Sequence, residues 1–373
     1  MHLNKRQFNG AVVGFLLDYV LLTSNARGEA VKATVSDSGF QFKVFCETGP
    51  LGTSINAVAW NPDGKLLAVS TRGGTSIQLW DVATAKKKWE YFKKNPDNST
   101  SLAFTRSGQE LIVSAADSDL ADAGLSLISV KTGAVVQHIQ QPSTFDQSTF
   151  ATTWRLNADG SRLAAGFFTA RPLPLVVYET DTWQIKSLVD SVSSRKDRHF
   201  AFSPNSGLLA VNAPQKLSGK PNPQGVRPVE RPSSIELWDV EVNQLRARLP
   251  TANGALWEYV PRSDIMVLAL GNNVSSGNPS GELRFFDVAK EEVIRTLHYE
   301  GLLRQVAVSA DGVFVAATFW GGPLTLWDLS SNQRDLSPQL LDVGSADCAG
   351  LAFSPTGEWL AFSLENELCL KEL

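Results

Sequence analysis

Side chains able to do chemistry are sparse in this chain, and they are scattered. Asp117, Asp119 and Asp122 fall within one short stretch followed by Gly124, and closely spaced carboxylate oxygens are what a hard cation such as Ca²⁺ binds. Their spacing does not follow a twelve-residue calcium loop, and acids in a loop are ordinarily solvated, so no metal site is assigned to them. Of the four histidines, His2 sits in the first residues and His138, His199 and His298 lie far apart along the chain. That distribution argues against a histidine-built metal or copper centre. The three cysteines, Cys46, Cys348 and Cys369, form no Cys-x-x-Cys pair. Gly-x-Ser-x-Gly, phosphate-loop and haem-attachment patterns are also missing from the sequence. Neither catalytic residues nor a cofactor is therefore expected, and an enzyme of this sequence would have to build its site from dispersed loop residues.

What positions those residues is a phrase that returns seven times: an apolar strand, a tight turn rich in Asn, Asp, Pro and Gly, and a second apolar strand. It reads INAVAW-NPDG-KLLAVS from Ile55, SLAF-TRSG-QELIVS from Ser101, TTWRL-NADG-SRLAAG from Thr152 and HFAF-SPNSG-LLAVN from His199. It continues as LWEYV-PRSD-IMVLAL from Leu256, RQVAV-SADG-VFVAAT from Arg304 and GLAF-SPTG-EWLAFS from Gly350. The turns end at Gly64, Gly108, Gly160, Gly207, Asp264, Gly312 and Gly357, at spacings of 44 to 57 residues. Periods of that size with several strands per unit predict an all-β, seven-bladed β-propeller of four-stranded antiparallel blades. The repeats are assigned to 51–95, 97–140, 148–190, 197–248, 253–298, 302–341 and 346–373. Although 373 residues would ordinarily suggest more than one domain, seven blades in a ring make one, here 31–373.

Third strands end on an aromatic and an acid at Trp80-Asp81, Trp238-Asp239, Phe286-Asp287 and Trp327-Asp328, with Tyr178-Glu179 as a weaker copy. Over roughly 39–373 the chain resembles the WD40-repeat family, in a divergent, bacterial-type form. The resemblance implies a Gly-His pair before each first strand that joins a hydrogen-bonded network within the blade. No Gly-His dipeptide exists here; His298, just before the sixth phrase, stands as a remnant of that position. Kelch repeats have a similar period, but their paired glycines do not recur.

The seventh repeat supplies only three strands before the chain ends, and an unpaired fourth position would leave an open edge. The strand-like run FQFKVFCE, within 39–48, is expected to complete the last blade as its outermost strand. It would bring Cys46 beside Cys369, either bonded as a staple or, like Cys348, simply buried.

Residues 1–30 do not fit the propeller. Lys5 and Arg6 precede the apolar run GAVVGFLLDYVLLT, and Gly28-Glu29-Ala30 follows, the layout of an export signal cleaved after Ala30. Asn4-Lys5-Arg6-Gln7-Phe8 also resembles a twin-arginine signal with lysine in the first place. Asp18 inside the run costs about 2.5 to 3.5 kcal/mol on insertion scales, which keeps an uncleaved anchor and an ordinary N-terminus open as alternatives. The export reading puts the protein in the periplasm or outside the cell, without stable membrane insertion once cleaved; without a signal it is cytoplasmic. Net charge is −4, which favours neither nucleic acid nor an anionic membrane. Lys86 to Lys88 read as a solvated outer edge.

In an antiparallel blade the turns joining strands one to two and three to four share one face. Those turns are short throughout (NPDG, SADG, SPTG, VATAK), whereas the opposite set includes AADSDLADAG at Ala115, GNNVSSGNPSG at Gly271 and Ala213 to Pro232 with five prolines. Loops on a rigid scaffold are where binding usually sits, so the elaborated face, called the top face in WD40 proteins, is the expected working surface. Phe168, Arg171 and Trp320, with Arg198, Trp257 and Arg304 near the channel, are the expected partner-binding residues, since Trp and Arg dominate binding hot spots. The function expected is a monomeric, non-catalytic scaffold binding a protein or peptide there. The alternative is a propeller enzyme or cofactor-carrying subunit, like quinone-dependent dehydrogenases or lactonases.

Overall fold

In the computed structural model the described residues are 19–24, 30–35, 41–47, 55–71, 76–92, 101–114, 123–145, 150–168, 173–189, 199–205, 207–212, 234–250, 256–270, 280–320, 322–330, 338–341, 348, 350–364 and 367–373. Within 19–47 only Phe45 has a described side chain, and at 123, 150, 152, 168, 250 and 341 the backbone alone is described. Asp117, Asp119, Asp122 and the proline-rich segment lie outside these residues.

Each phrase folds as the turn chemistry dictates. The residue opening the turn donates its N–H to the carbonyl five residues on, from Asn61 to Leu66, Thr105 to Glu110, Asn157 to Arg162, Ser203 to Leu208, Val260 to Ile265, Ser309 to Phe314 and Ser354 to Trp359. In six turns a glycine then takes a left-handed φ between 67° and 78°, which only glycine adopts at little cost. The fifth turn differs from the expected PRSD alignment. Ser263 N–H closes it onto Val260 over the same span as the glycine turns, and Arg262 takes the left-handed conformation at φ 59°, so without glycine the left-handed residue comes one place earlier.

Every blade is antiparallel, and in the first six the strands follow chain order from the axis outward. Blade one runs Ile55–Trp60, Leu66–Thr71, Ser76–Asp81 and Lys86–Phe92; the lysines of its outer strand are exposed, as expected. Second strands such as Leu67 to Val69 are buried on both sides. Seven apolar clusters, each between two neighbouring blades, close the ring. Indole and phenol donors add bonds across blades: Trp60 to Ala352 O at 3.2 Å, Trp89 to Val130 O at 2.8 Å and Tyr178 to Gln140 O at 3.1 Å.

The aromatic–acid motif has a local explanation. Asp81 Oδ1 accepts from Thr84 N and Oγ1 at 2.9 and 2.8 Å, Asp239 from Glu241 N at 3.0 Å, Asp287 from Ala289 N and Lys290 N at 3.0 Å, and Asp328 from Ser330 N at 2.8 Å. Each acid caps the turn into the fourth strand, as an Asx turn does. The preceding ring packs inward: Trp327 is 1% exposed. His298 is no remnant of the network. It ends up on an outer strand, Glu292–Glu300, mostly solvent-exposed and 3.8 Å from Glu282.

Closure takes the expected partner with two additions. Gln41–Glu47 pairs with Glu367–Glu372, and Phe45 packs edge-on to Trp80 at 6.4 Å between centroids. It is not outermost, because Ala30–Val35 pairs on its far side and Tyr19–Ser24 on that, giving six strands in the last sheet. Tyr19–Ser24 includes the end of the apolar run assigned to the export signal. Register places Cys46 opposite Leu368 and Val44 opposite Cys369, with a bulge between. Leu368 packs toward blade one and Cys369 toward blade six, so the two cysteines neighbour each other in strand but are not directly opposed. Among the described residues no helix is long and apolar enough to cross a membrane.

Candidate functional site

Two of the six expected contact residues meet on the elaborated face. Arg304 is the third residue of the inner strand of blade six, Leu302–Val308, at a bulge between Leu303 and Gln305, and Trp320 ends the adjacent strand Phe314–Trp320, with Leu302 opposite Trp320. Both therefore stand at the same end of the blade. The Arg304 guanidinium lies 4.2 Å from the Trp320 ring centroid, a cation–π contact that holds both side chains in place. Trp320 remains 53% exposed, a large rigid aromatic surface presented to solvent. One wall of a groove of about 870 Å³ between blades five and six belongs to the same blade; the groove is floored by Leu270, Tyr299 and Trp327 and edged by Glu282, Arg284 and Glu300.

Trp257 is not a contact residue. It is 1% exposed, its Nε1 donates to Asn212 Oδ1 at 2.7 Å, and His199 and Tyr259 meet it edge-on at 4.8 and 6.0 Å. These contacts lock blade five to blade four. Phe168 ends the strand Arg162–Phe168, but its side chain, like all of Arg171 and Arg198, lies outside the described residues.

Sequence reasoning missed the polar content of the central channel, a cavity of about 620 Å³ lined by the inner strands. Arg155, His199, Glu258 and Arg304 line it. Arg155 Nη1 donates to Trp154 O at 3.0 Å and Ser101 Oγ at 3.4 Å. Glu258 Oε1 accepts the Tyr259 N–H at 3.2 Å. Burial raises the Glu258 pKa, opposed by the positive charge of Arg155. His199 Nε2–H donates to the Trp257 carbonyl. Its pKa falls from 6.5 to about 4 through burial, and Arg155 pushes the same way while the bond to Trp257 opposes.

The acid behaviour of His199 follows by linkage. The unfolded chain takes up its proton near pH 6.5 and the folded protein only near 4, so stability is lost as pH falls through that window. The ceiling is ~3 kcal/mol, reduced by water in the channel. Glu258 works in the opposite sense, because acid relieves the penalty of ionising a buried carboxylate. Between pH 6.5 and 4 the denaturation midpoint of the wild type should therefore lose ground to that of His199→Asn; a constant difference between the two across that window would remove His199 as a source of acid sensitivity.

No curated protein sequence matches this chain. The family described as WD domain, G-beta repeat matches residues 43–81, from the closing strand to the capping Asp81 of blade one. Among solved structures it is similar to hydrazine synthase of Kuenenia stuttgartiensis, at a TM-score of 0.64 and 16% identity, over 87% of this chain and 97% of that one. At that identity the likeness shows the fold, and 1610 solved chains match, so shape alone selects no activity.

Proposed function

We propose that this WD40-like seven-bladed propeller is a non-catalytic scaffold, working outside the cytoplasm, that binds a protein or peptide on its elaborated face over blades five and six. One observation carries the reading: Trp320, more than half exposed and braced by Arg304, stands on the same blade as one wall of a wide apolar-floored groove. Held aromatic and arginine anchors lose little side-chain entropy on binding and contribute disproportionately to affinity. Mixed charge at the groove's edge suits a partner chain bearing both apolar and polar side chains better than a nucleic acid. The extracytoplasmic location rests on the basic, apolar and small-residue order of the first thirty residues.

The test is crosslinking capture from native extract. Trp320→Ala should abolish recovery of a specific partner while changing stability by no more than about 0.5 kcal/mol, as an exposed site should. Replacing Pro214 to Pro232 by a short Gly-Ser linker asks whether that segment is a second contact. A partner recovered equally by wild type and Trp320→Ala would contradict the reading. The second reading, a propeller carrying a cofactor, is motivated by the charged channel; a visible chromophore in protein from its native host would favour it.

A further inference from the structure

The shared turn bond aligns the seven inner strands residue by residue. Two residues before the turn-opening position stand Ala59, Ala103, Ala201, Ala307 and Ala352 in five blades. In blades three and five the same place holds Arg155 and Glu258. A small residue suits this position, where the blades converge on the axis. The two exceptions put long, oppositely charged side chains at one level of the channel, with only Ala201 between them around the ring.

Arg155 and Glu258 make no ion pair with each other, although both are described. Arg155 spends Nη1 on Ser101 and Trp154; its Nε and Nη2 have no hydrogen-bond partner among the described residues. Glu258 spends Oε1 on a backbone N–H, and its Oε2 likewise has none. Both side chains are half-buried and open to the cavity, so their remaining polar atoms are the ones a ligand in the channel would meet in place of water.

We propose that the channel is a binding site for a small zwitterion, its carboxylate held by Arg155 and its ammonium by Glu258. A ligand with both charges neutralises both walls at once, whereas a simple anion leaves Glu258 uncompensated and a simple cation leaves Arg155 so. His199, neutral and anchored on the Trp257 carbonyl, adds no charge to the lumen, and the third charged side chain that lines it, Arg304, is engaged on the Trp320 ring. The five-alanine pattern also supplies a benign control: Arg155→Ala and Glu258→Ala install the residue that the other blades already carry.

Titration calorimetry on the full chain at pH 7 tests this with glycine, β-alanine and γ-aminobutyrate, which span increasing charge separation, against acetate and methylammonium. At least one zwitterion should bind saturably, at least tenfold more tightly than either single-charge probe. Arg155→Ala and Glu258→Ala should each weaken it tenfold or more, with denaturation midpoints unchanged or raised. Arg155→Gln and Glu258→Gln, which keep most of the bulk, should weaken it similarly. Three results would each overturn the proposal: no saturable binding of any of the three to the wild type, binding that survives the double alanine variant, or acetate binding as tightly as the best zwitterion.

Discussion

Trp257→Ala should destabilise the propeller by about 3 to 5 kcal/mol, the largest effect of any single substitution considered for this chain. The indole is fully buried in the cluster joining blades four and five, so truncation leaves a cavity that a closed ring cannot easily collapse into. It also removes the hydrogen bond that buried Asn212 Oδ1 accepts from the indole at 2.7 Å, a loss of about 0.5 to 1.5 kcal/mol. Urea midpoints measured beside Trp320→Ala separate the roles of the two tryptophans. The first should fall steeply and the second hardly move; equal shifts would mean that burial does not distinguish them.

Removing the closing strand should have a comparably large effect by a different route. A chain beginning after Glu47 loses the partner of Glu367–Glu372 and uncovers the cluster that Phe45 seals against Trp80. An exposed, hydrogen-bond-hungry edge beside apolar surface recruits other chains. Light scattering after size exclusion should show oligomers or aggregate instead of a monomeric ring. A monodisperse monomer with an unchanged midpoint would show that the ring does not depend on this strand.

Much of the fold was legible because propeller turns are written in residue types with strong conformational preferences. Glycine at a left-handed position, Asn or Asp before it and an aromatic–acid pair ending the third strand are local signals that survive without any network histidine. Closure was legible by counting strands. The two strands beyond Gln41–Glu47 were not, because one overlaps an apolar run that reads equally well as an export signal. Cysteine register was hidden by the bulge between Val44 and Cys46, which sequence alternation does not reveal.

The site was legible only in part. Arg304 and Trp320 were expected because their positions near strand ends put them on one face. Trp257 was misjudged because a tryptophan at the start of an inner strand looks the same in sequence whether it faces solvent or a neighbouring blade; its partner Asn212 lies 45 residues away. Arg155 and Glu258 carried a readable signal, the break in a column of alanines, which emerges only when the phrases are aligned on the turn rather than read for strand pattern. That alignment is shifted by one residue in the fifth turn, where glycine is missing.

The most direct test of the scaffold account is a photo-crosslinking amino acid placed at Trp320 on the elaborated face and, separately, at Asp63 and Asp159 in the turns of the trimmed face. Irradiation in native extract should yield a discrete adduct from position 320 and none from 63 or 159. Adducts of equal yield from both faces, or from the trimmed face alone, would contradict it.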